Sequence, residues 1–409
     1  MKRFACFAAA AVLAFGCFAR YTTAQGTDHP AGKIVVPESS IVRPEDAGRR
    51  AHTNIEIFVP DNEKEPGSAP SGETPASLAC VYQLVPQVTG CPIKGTTQNP
   101  SGGSRAIGIV DAYDAPTIEN DLGVFSTQFN LAPCTTENGC FTKVYASGTK
   151  PPENGDWALE MSLDVEWAHA MAPNAKIILV EAASQSAGDL LKAEDVASAA
   201  ISAAGGGEVT NSWGFNEASQ ETTADSHFTT AGIVYFAAAG DTGGVVSYPS
   251  ASPNVVSAGG TTVNRSGGDF TTETAWSDAG GGPSKYEPRP SDQDVIQSIV
   301  GSVRGTPDIS FDGNPSSGVS IYDSTRYLIY KNWIVVGGTS VSSPSLAGIV
   351  NTAGSFNDSA NAELTLIYNN YTNANYFRDI TSGKNTKYSC VVGWDYCSGV
   401  GSALTYTDK

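Results

Sequence analysis

The stretch Val336-Gly337-Gly338-Thr339-Ser340-Val341-Ser342-Ser343-Pro344 is followed by an apolar one, Leu346-Ala347-Gly348-Ile349-Val350. Glycines before a serine allow a tight turn and a close approach of another backbone. The apolar spacing predicts a helix that begins at or just after Ser340, in which Pro344 is tolerated because the first turn has no internal hydrogen bond to lose. Ser340 is therefore either an ordinary N-cap or a nucleophile at the positive end of a helix. Ser342 stands where the α/β-hydrolase elbow requires glycine, which excludes that motif.

Short β-branched runs alternate with helical segments through the rest of the chain. The predicted strands are Ala106–Asp111, Ile177–Glu181, Glu208–Ser212, Ile233–Ala238 and Val255–Ala258, and the predicted helices are Leu159–Met171, Gly188–Ala203 and the segment from Ser340. This alternation indicates a mostly parallel sheet covered on both faces. We therefore predict an α/β fold with a central sheet flanked by helices, formed by residues 80–409. Functional residues in such sheets collect beyond the carboxyl ends of strands.

The composition bounds the class of protein. The chain has 409 residues, a net charge of −18 and 40% hydrophobic residues, enough to bury a large core. So acidic a surface repels nucleic acid and anionic membranes, so we expect neither as a partner. We expect a monomer.

The N-terminal region predicts export. Residues 1–25 combine Lys2-Arg3, an apolar run and small residues at Thr22-Thr23-Ala24, which indicates a secretory signal. Cys17 after Gly16 leaves a lipoprotein signal as the alternative. Residues 60–79 are rich in Pro, Gly, Ser and Glu and predict a linker, preceded by one strand-like run at 55–59. We expect a secreted, extracellular protein.

Six cysteines remain outside the signal, in three tight sets. They are Cys80 with Cys91, Cys134 with Cys140, and Cys390 with Cys397. Each set could close a small loop in an oxidising compartment, and the Cys-x-x-Cys spacing of a metal cluster is absent. We predict three local disulfides.

The candidate partners of Ser340 are carboxyl groups. Glu160 and Asp164 are four residues apart, so both lie on one face of a predicted helix. An acidic pair at this spacing is usually a solvated face, but the apolar residues around it favour partial burial, which raises one pKa and leaves that group able to exchange a proton. Asp241 follows the strand at 233–238 and is either a turn residue or a side chain pointing into the crevice. His169 is the alternative base.

A second cluster of acidic residues lies near the C-terminus. Asp379 and Asp395, with the carbonyl groups around them, offer the hard oxygen ligands that Ca²⁺ prefers. The spacing of an EF-hand is absent, so the chemistry alone identifies no ion.

Taken together, these features resemble the sedolisin family, the serine-carboxyl peptidases with a subtilisin-like fold. The matching motifs occur in family order over about residues 80–405: Ile109-Val110-Asp111-Ala112-Tyr113-Asp114, the Glu160/Asp164 helix, Asn211-Ser212-Trp213-Gly214, Gly240-Asp241-Thr242-Gly243, Tyr248-Pro249-Ser250-Ala251-Ser252-Pro253, Gly305-Thr306-Pro307-Asp308 and Gly338-Thr339-Ser340. The resemblance implies a secreted, acid-active peptidase that acts on proteins or peptides, and we expect an endopeptidase, with a tripeptidyl-peptidase as the alternative.

The resemblance also implies residue roles. Ser340 matches the nucleophile, Glu160 the base, Asp164 its supporting aspartate and Asp241 the oxyanion-hole aspartate. One structural calcium ion is implied, with side-chain ligands Asp379 and Asp395 and carbonyl ligands Ile380, Val391 and Gly393. Val391 replaces a glycine of the family, and residues 26–79 are shorter than the family's usual propeptide.

Two other functions remain open. The same fold could serve a catalytically inactive secreted binding protein, and Ser340→Ala separates the two: proteolysis that survives this change would show that the nucleophile is assigned wrongly. A subtilisin-type enzyme would use His169 as base and work near or above neutral pH; its surroundings, Ala170-Met171-Ala172, lack the glycines typical of that histidine.

Overall fold

The computed structural model describes residues 19–21, 31–61, 67–95, 97–327, 330–407 and 409. The predicted signal, residues 1–25, lies outside these residues except for 19–21. The strands are β1 Ala19–Tyr21, β2 Gly32–Val35, β3 His52–Thr53, β4 Glu56–Pro60, β5 Ala106–Ala112, β6 Phe141–Tyr145, β7 Lys176–Ala182, β8 Gly207–Asn211, β9 Trp213–Asn216, β10 Ile233–Ala238, β11 Ser247–Tyr248, β12 Val256–Ser266, β13 Asp269–Ala275, β14 Gly282–Pro288, β15 Val303–Thr306, β16 Ile309–Asp312, β17 Val319–Tyr327, β18 Tyr330–Gly337, β19 Phe377–Arg378 and β20 Ser402–Ala403. The helices are α1 Pro75–Val81, α2 Ile118–Phe129, α3 Gly155–Met171, α4 Ala187–Ala203, α5 Gln297–Val300, α6 Thr339–Ala353 and α7 Ala360–Asn369.

A mostly parallel sheet forms the centre of the molecule. Its strand order is β19-β20-β16-β12-β10-β8-β5-β7-β6, with β13 added beside β12. The pairings from β16 to β6 along this order are parallel, while β13 and β19 pair antiparallel. Helix α6 packs on β8, β10 and β12, and α4 packs on β5 and β7. The predicted α/β class is confirmed.

Helix α3 is buried on every side. Every residue from Trp157 to Met171 is buried, and α3 packs against α6 and β17. Asn154 caps its first turn, accepting hydrogen bonds from two backbone N–H groups. A helix that is buried all round belongs to a core, so its acidic residues do not form a solvated face.

Residues 31–61 belong to the same folded body. Strand β4 pairs antiparallel with β18 and with β2, and β3 pairs antiparallel with β9. Ile55 and Ile57 lie in the main apolar core. Antiparallel pairing with β18 joins segments almost three hundred residues apart, which local patterns do not reveal.

The segment predicted as a linker ends in a helix that crosses position 80. Thr74 and Ser77 form a capping box for α1, and Pro75 occupies its first turn. The residues that indicated a linker thus serve as helix-start signals. Glu73, just before the helix, is buried and its carboxylate accepts two hydrogen bonds from the guanidinium of Arg265.

The three local disulfides are confirmed. They join Cys80 to Cys91, Cys134 to Cys140, and Cys390 to Cys397. Within the described ranges, every helix is too short or too polar to cross a bilayer.

Buried carboxyl groups predict that the fold is most stable in acid. Burial raises the pKa of Glu208 from 4.5 to about 8, although Asn351 donates a hydrogen bond of 2.7 Å to its carboxylate. Because the folded state holds this proton more tightly, the stabilisation is complete below the ordinary value and is lost as the pH rises towards about 8, at up to about 1.4 kcal/mol per pH unit. Burial raises the pKa values of Glu181 and Glu287 to about 8 as well.

We expect the melting temperature to fall between pH 4 and pH 8, and to fall less in Glu208→Gln, which keeps a neutral group of the same shape. Thermal unfolding followed by circular dichroism measures this. Glu45→Gln, at an exposed position, is the matched control and should follow the wild-type curve. Equal slopes for Glu208→Gln and the wild type would contradict the prediction.

Candidate active site

Ser340 is the second residue of α6 and is fully buried. The turn before it depends on Gly338, whose φ is +114°. A Cβ at this position would stand 2.0 Å from the carbonyl oxygen of Asn54 and 2.6 Å from Asp241 Oδ2. Glycine is therefore required both by the backbone conformation and by the close approach of these two oxygens.

Pro344 lies deeper in the helix than predicted. Since α6 begins at Thr339, Pro344 is beyond the first turn, and the expectation that it costs no hydrogen bond is wrong. The proline leaves the Ser340 carbonyl without its helical N–H donor. The Ser212 hydroxyl lies 3.4 Å from this carbonyl oxygen.

Two of the acidic residues of α3, Glu160 and Asp164, lie on the side of the helix that faces Ser340 and Ser212. The Ser340 hydroxyl donates to the Ser212 carbonyl at 3.1 Å, and the Ser212 hydroxyl donates to Asp164 Oδ1 at 2.7 Å. Neither carboxyl oxygen of the fully buried Glu160 has a hydrogen-bond partner of good geometry among the described residues. Burial first, and then Asp164, raise the pKa of Glu160, while the Ser340 hydroxyl lowers it. Burial likewise raises the pKa of Asp164.

A third buried acid, Asp111, belongs to one of the sequence motifs, but the sequence alone predicts no role for it. It lies near the end of β5, is fully buried, and neither of its carboxyl oxygens has a partner in the part of the chain that the structure describes. Burial, Asp164 and Glu181 raise its pKa. The sequence signal that could have found Asp111 is its position at the carboxyl end of a parallel strand. Ser212 occupies the same kind of position, directly after β8.

Asp241 follows β10 and turns towards the start of α6. Its Oδ1 accepts hydrogen bonds from the N–H and the hydroxyl of Thr339, both at 2.8 Å. Its Oδ2 is buried and has no partner within the described ranges. Burial first, and then the charge of Glu56, raise its pKa. A neutral carboxyl group here can donate from Oδ2.

His169 lies elsewhere on α3. It is fully buried, its Nε2 lies 2.8 Å from the Ala132 carbonyl oxygen, and its ring lies beside the Cys134–Cys140 bridge. Burial lowers its pKa. Its ring thus faces this bridge, whereas Glu160 faces Ser340, and the alternative with His169 as base gains no support.

The residues expected to bind calcium converge on one loop, which the Cys390–Cys397 disulfide closes. Asp379 accepts from the Gly393 N–H at 2.9 Å, and Asp395 accepts from the Val391 N–H at 2.7 Å. Ile380 is buried against the disulfide. Burial raises the pKa of Asp395 to about 6. The two carboxylates are hard oxygen donors of the kind that Ca²⁺ prefers.

Fold and site define a protein of the subtilisin class in which, among the described residues, buried carboxyl groups lie close to the serine. A model of the subtilase family matches residues 147–380, more than half of the chain. The chain belongs to this family.

The chain is also similar to individual curated proteins. Kumamolisin from Bacillus sp. (strain MN-32) is 28% identical over 378 residues, which cover 82% of this chain and 63% of that protein. Sedolisin from Pseudomonas sp. (strain 101) is 35% identical over 174 residues, which cover 38% of this chain and 28% of that protein. The chain thus spans less than two thirds of the length of these curated relatives.

A solved structure shows the same fold. Pseudomonas sedolisin, described as a serine-carboxyl proteinase in complex with pseudo-iodotyrostatin, superimposes with a TM-score of 0.68 at 24% identity. The match covers 82% of this chain and 96% of that one. The likeness to the sedolisins predicted from the motifs is confirmed.

Proposed function

We propose that this protein is a secreted, acid-active serine-carboxyl peptidase that hydrolyses peptide bonds in proteins or peptides. Ser340 is the nucleophile, Glu160 the base, Asp164 its supporting acid and Asp241 the donor to the oxyanion. The observation that carries the proposal is the gathering of three buried carboxyl groups around one buried hydroxyl, with His169 directed elsewhere.

The reaction follows from these positions. Ser340 Oγ attacks the peptide carbonyl carbon while Glu160 takes its proton, which Asp164 helps to hold. The carbonyl oxygen becomes an oxyanion between the Ser340 N–H and the protonated Asp241 Oδ2. Glu160 then returns the proton to the leaving amine, and a water molecule hydrolyses the acyl-enzyme. Because Asp241 must be neutral, activity is lost as the pH rises through its raised pKa.

The direct test is a peptide-library digest from pH 3 to pH 8, with wild type and Ser340→Ala. We expect hydrolysis confined to the acidic part of the range in the wild type, and none by Ser340→Ala. Hydrolysis that survives the substitution would refute the nucleophile, and a wild type that binds peptides without cutting them would favour the binding-protein alternative.

We also propose that a calcium ion holds the 391–395 loop against Asp379. Asp379 and Asp395 would bind it through side chains, and Ile380, Val391 and Gly393 through carbonyl groups. The ion would neutralise the two carboxylates and stabilise the loop that the disulfide closes.

Removing this ion is expected to lower the melting temperature. A ligand at 100 times its Kd stabilises the folded state by about 2.7 kcal/mol, so a strong chelator should produce a clear shift. Asp379→Asn, at an exposed position, should melt lower than the wild type and respond less to the chelator. An unchanged melting temperature of chelated wild type would refute the site.

Three disulfides in the described residues suit an oxidising compartment and support secretion. We propose that residues 80–409 form the peptidase domain and that residues 26–79 form a short propeptide-like segment and linker.

A further inference from the structure

We propose that residues 52–56 lie in the cleft as an internal substrate, and that the bond between Asn54 and Ile55 is the one that Ser340 attacks. The inference rests on the proposed peptidase function. It names a specific first substrate for this site, which is a segment of the same chain.

The position of the Asn54 carbonyl group is the central observation. Its oxygen accepts a hydrogen bond of 3.1 Å from the Ser340 N–H. The same oxygen and Asp241 Oδ2 both crowd the point where a Cβ of Gly338 would stand. A carbonyl oxygen bonded to the backbone N–H of the nucleophile, with a carboxyl oxygen that can act as a second donor close by, has the layout of an oxyanion hole. The Asn54 carbonyl therefore occupies the place of the bond to be cut.

The chain is extended and paired on the N-terminal side of this carbonyl. The Asn54 N–H donates to the Ser212 carbonyl at 3.2 Å. His52 and Thr53 form strand β3, which pairs antiparallel with Gly214 and Trp213. This is the manner in which an extended peptide adds a strand to an exposed edge.

The C-terminal side is paired as well. Glu56 and Ile57 pair antiparallel with Gly337 and Val336, the last residues of β18 before the glycine turn. The strand pairing thus passes from β9 to β18 across Asn54 and Ile55, so that the bond between them lies directly beside the N-terminus of α6.

Hydrogen bonds outside the strand pairs also hold the segment in this register. Ala51 exchanges two hydrogen bonds with Gln185, one at 2.8 Å to its carbonyl and one at 2.7 Å from its side-chain amide. The Ser40 hydroxyl donates to the Ile55 carbonyl at 2.8 Å. Asn54 and Ile55 are both fully buried. The anchors lie on both sides of the bond, as they must if the bond is to be held still during attack.

The covalent step balances with water as the only co-reactant. Ser340 Oγ bonds to the Asn54 carbonyl carbon, and its proton passes to Glu160. The C–N bond to Ile55 breaks, and Glu160 delivers the proton to the new amine. Water then hydrolyses the Asn54 ester, which leaves a carboxyl group on Asn54 and restores the Ser340 hydroxyl.

The arrangement also has a consequence for external substrates. Ser340, Glu160 and Asp164 are fully buried while residues 52–56 remain in place. An external peptide reaches them only after the segment leaves. We therefore expect external hydrolysis to begin after a lag that matches internal cleavage.

The test uses the full chain. Purified protein is transferred to the pH of its fastest external hydrolysis, and the fragments are identified by intact mass and N-terminal sequencing. A parallel assay follows an external peptide with the sequence of residues 50–58. The expected result is one new N-terminus, Ile55-Glu56-Ile57, formed at a rate independent of protein concentration, followed by cleavage of the external peptide.

Two kinds of variant control the test. Ile55→Pro should slow internal cleavage at least about 100-fold, because the proline ring replaces the N–H of the leaving group and restricts Asn54. Ile55→Val keeps a β-branched apolar residue and should be cut within a few-fold of the wild-type rate. Ser340→Ala should stay intact even with added wild type, because its bond remains buried in its own cleft. Thermal unfolding shows that each variant is folded.

The outcomes separate the two proposals. Hydrolysis of the external peptide while the Asn54–Ile55 bond stays intact, or cleavage at a different bond, would overturn the internal substrate and leave the peptidase function standing. Cleavage of Ser340→Ala by added wild type would overturn the intramolecular step. Loss of both reactions in folded wild type would overturn both proposals.

Discussion

Glu160→Gln is expected to lower kcat/KM for an external peptide by about 10⁴-fold, as is Ser340→Ala, with no further loss in the double variant. Glutamine keeps the shape of Glu160 but cannot take the serine proton. The two residues act on one proton transfer, so their losses do not add. Steady-state kinetics at acidic pH measure all three variants.

Glu166→Gln is the matched control. Glu166 is fully buried on the same helix, but its carboxylate accepts from the Tyr322 N–H at 2.9 Å, away from Ser340. Burial raises its pKa, so a neutral amide replaces a neutral acid under acidic conditions. Activity should stay within a few-fold of wild type. An equal loss in Glu166→Gln would show that a buried carboxyl on α3 matters for folding rather than for proton transfer.

Asp241→Ala is expected to lower kcat by about 10²- to 10³-fold, because it removes one donor from the oxyanion hole. Asp241→Asn should lose much less, since its amide can accept from Thr339 at one atom and donate from the other. The amide also donates at every pH. The loss of activity at the alkaline end, which in the wild type follows ionisation of Asp241, should therefore move to higher pH in Asp241→Asn.

pH–rate profiles of the three proteins measure this effect. Asp278→Asn is a control that removes a neighbouring negative charge, one that helps to raise the pKa of Asp241, but no oxyanion donor. It should keep kcat and shift the alkaline limit slightly to lower pH. The assignment of Asp241 fails if Asp241→Asn is as slow as Asp241→Ala and its alkaline limit is unchanged.

Much of the fold was predictable from local pattern. The helix predicted at 159–171 is observed at Gly155–Met171, and the one at 188–203 at Ala187–Ala203. Strand β10 was predicted with its observed bounds. Alternation and helical periodicity are properties of neighbouring residues, so they survive in the folded chain.

Residues 31–61 could not be placed from local pattern. Glu56 was predicted to lie in a strand-like run, but its partner, Gly337, belongs to a strand far along the chain. The same limit applies to Asp111, which becomes part of the acidic cluster only because β5 lies between β7 and β8.

The sequence by itself determined which groups are present: one serine behind a glycine turn, two acidic residues one helical turn apart, and an aspartate at a strand end. Only the tertiary structure decided that these groups share one buried site and that Asn54 lies beside Ser340 in it. The physical reason is that side-chain chemistry and periodicity are local, whereas desolvation, the pKa shifts that follow from it and the pairing of distant strands arise when the chain packs.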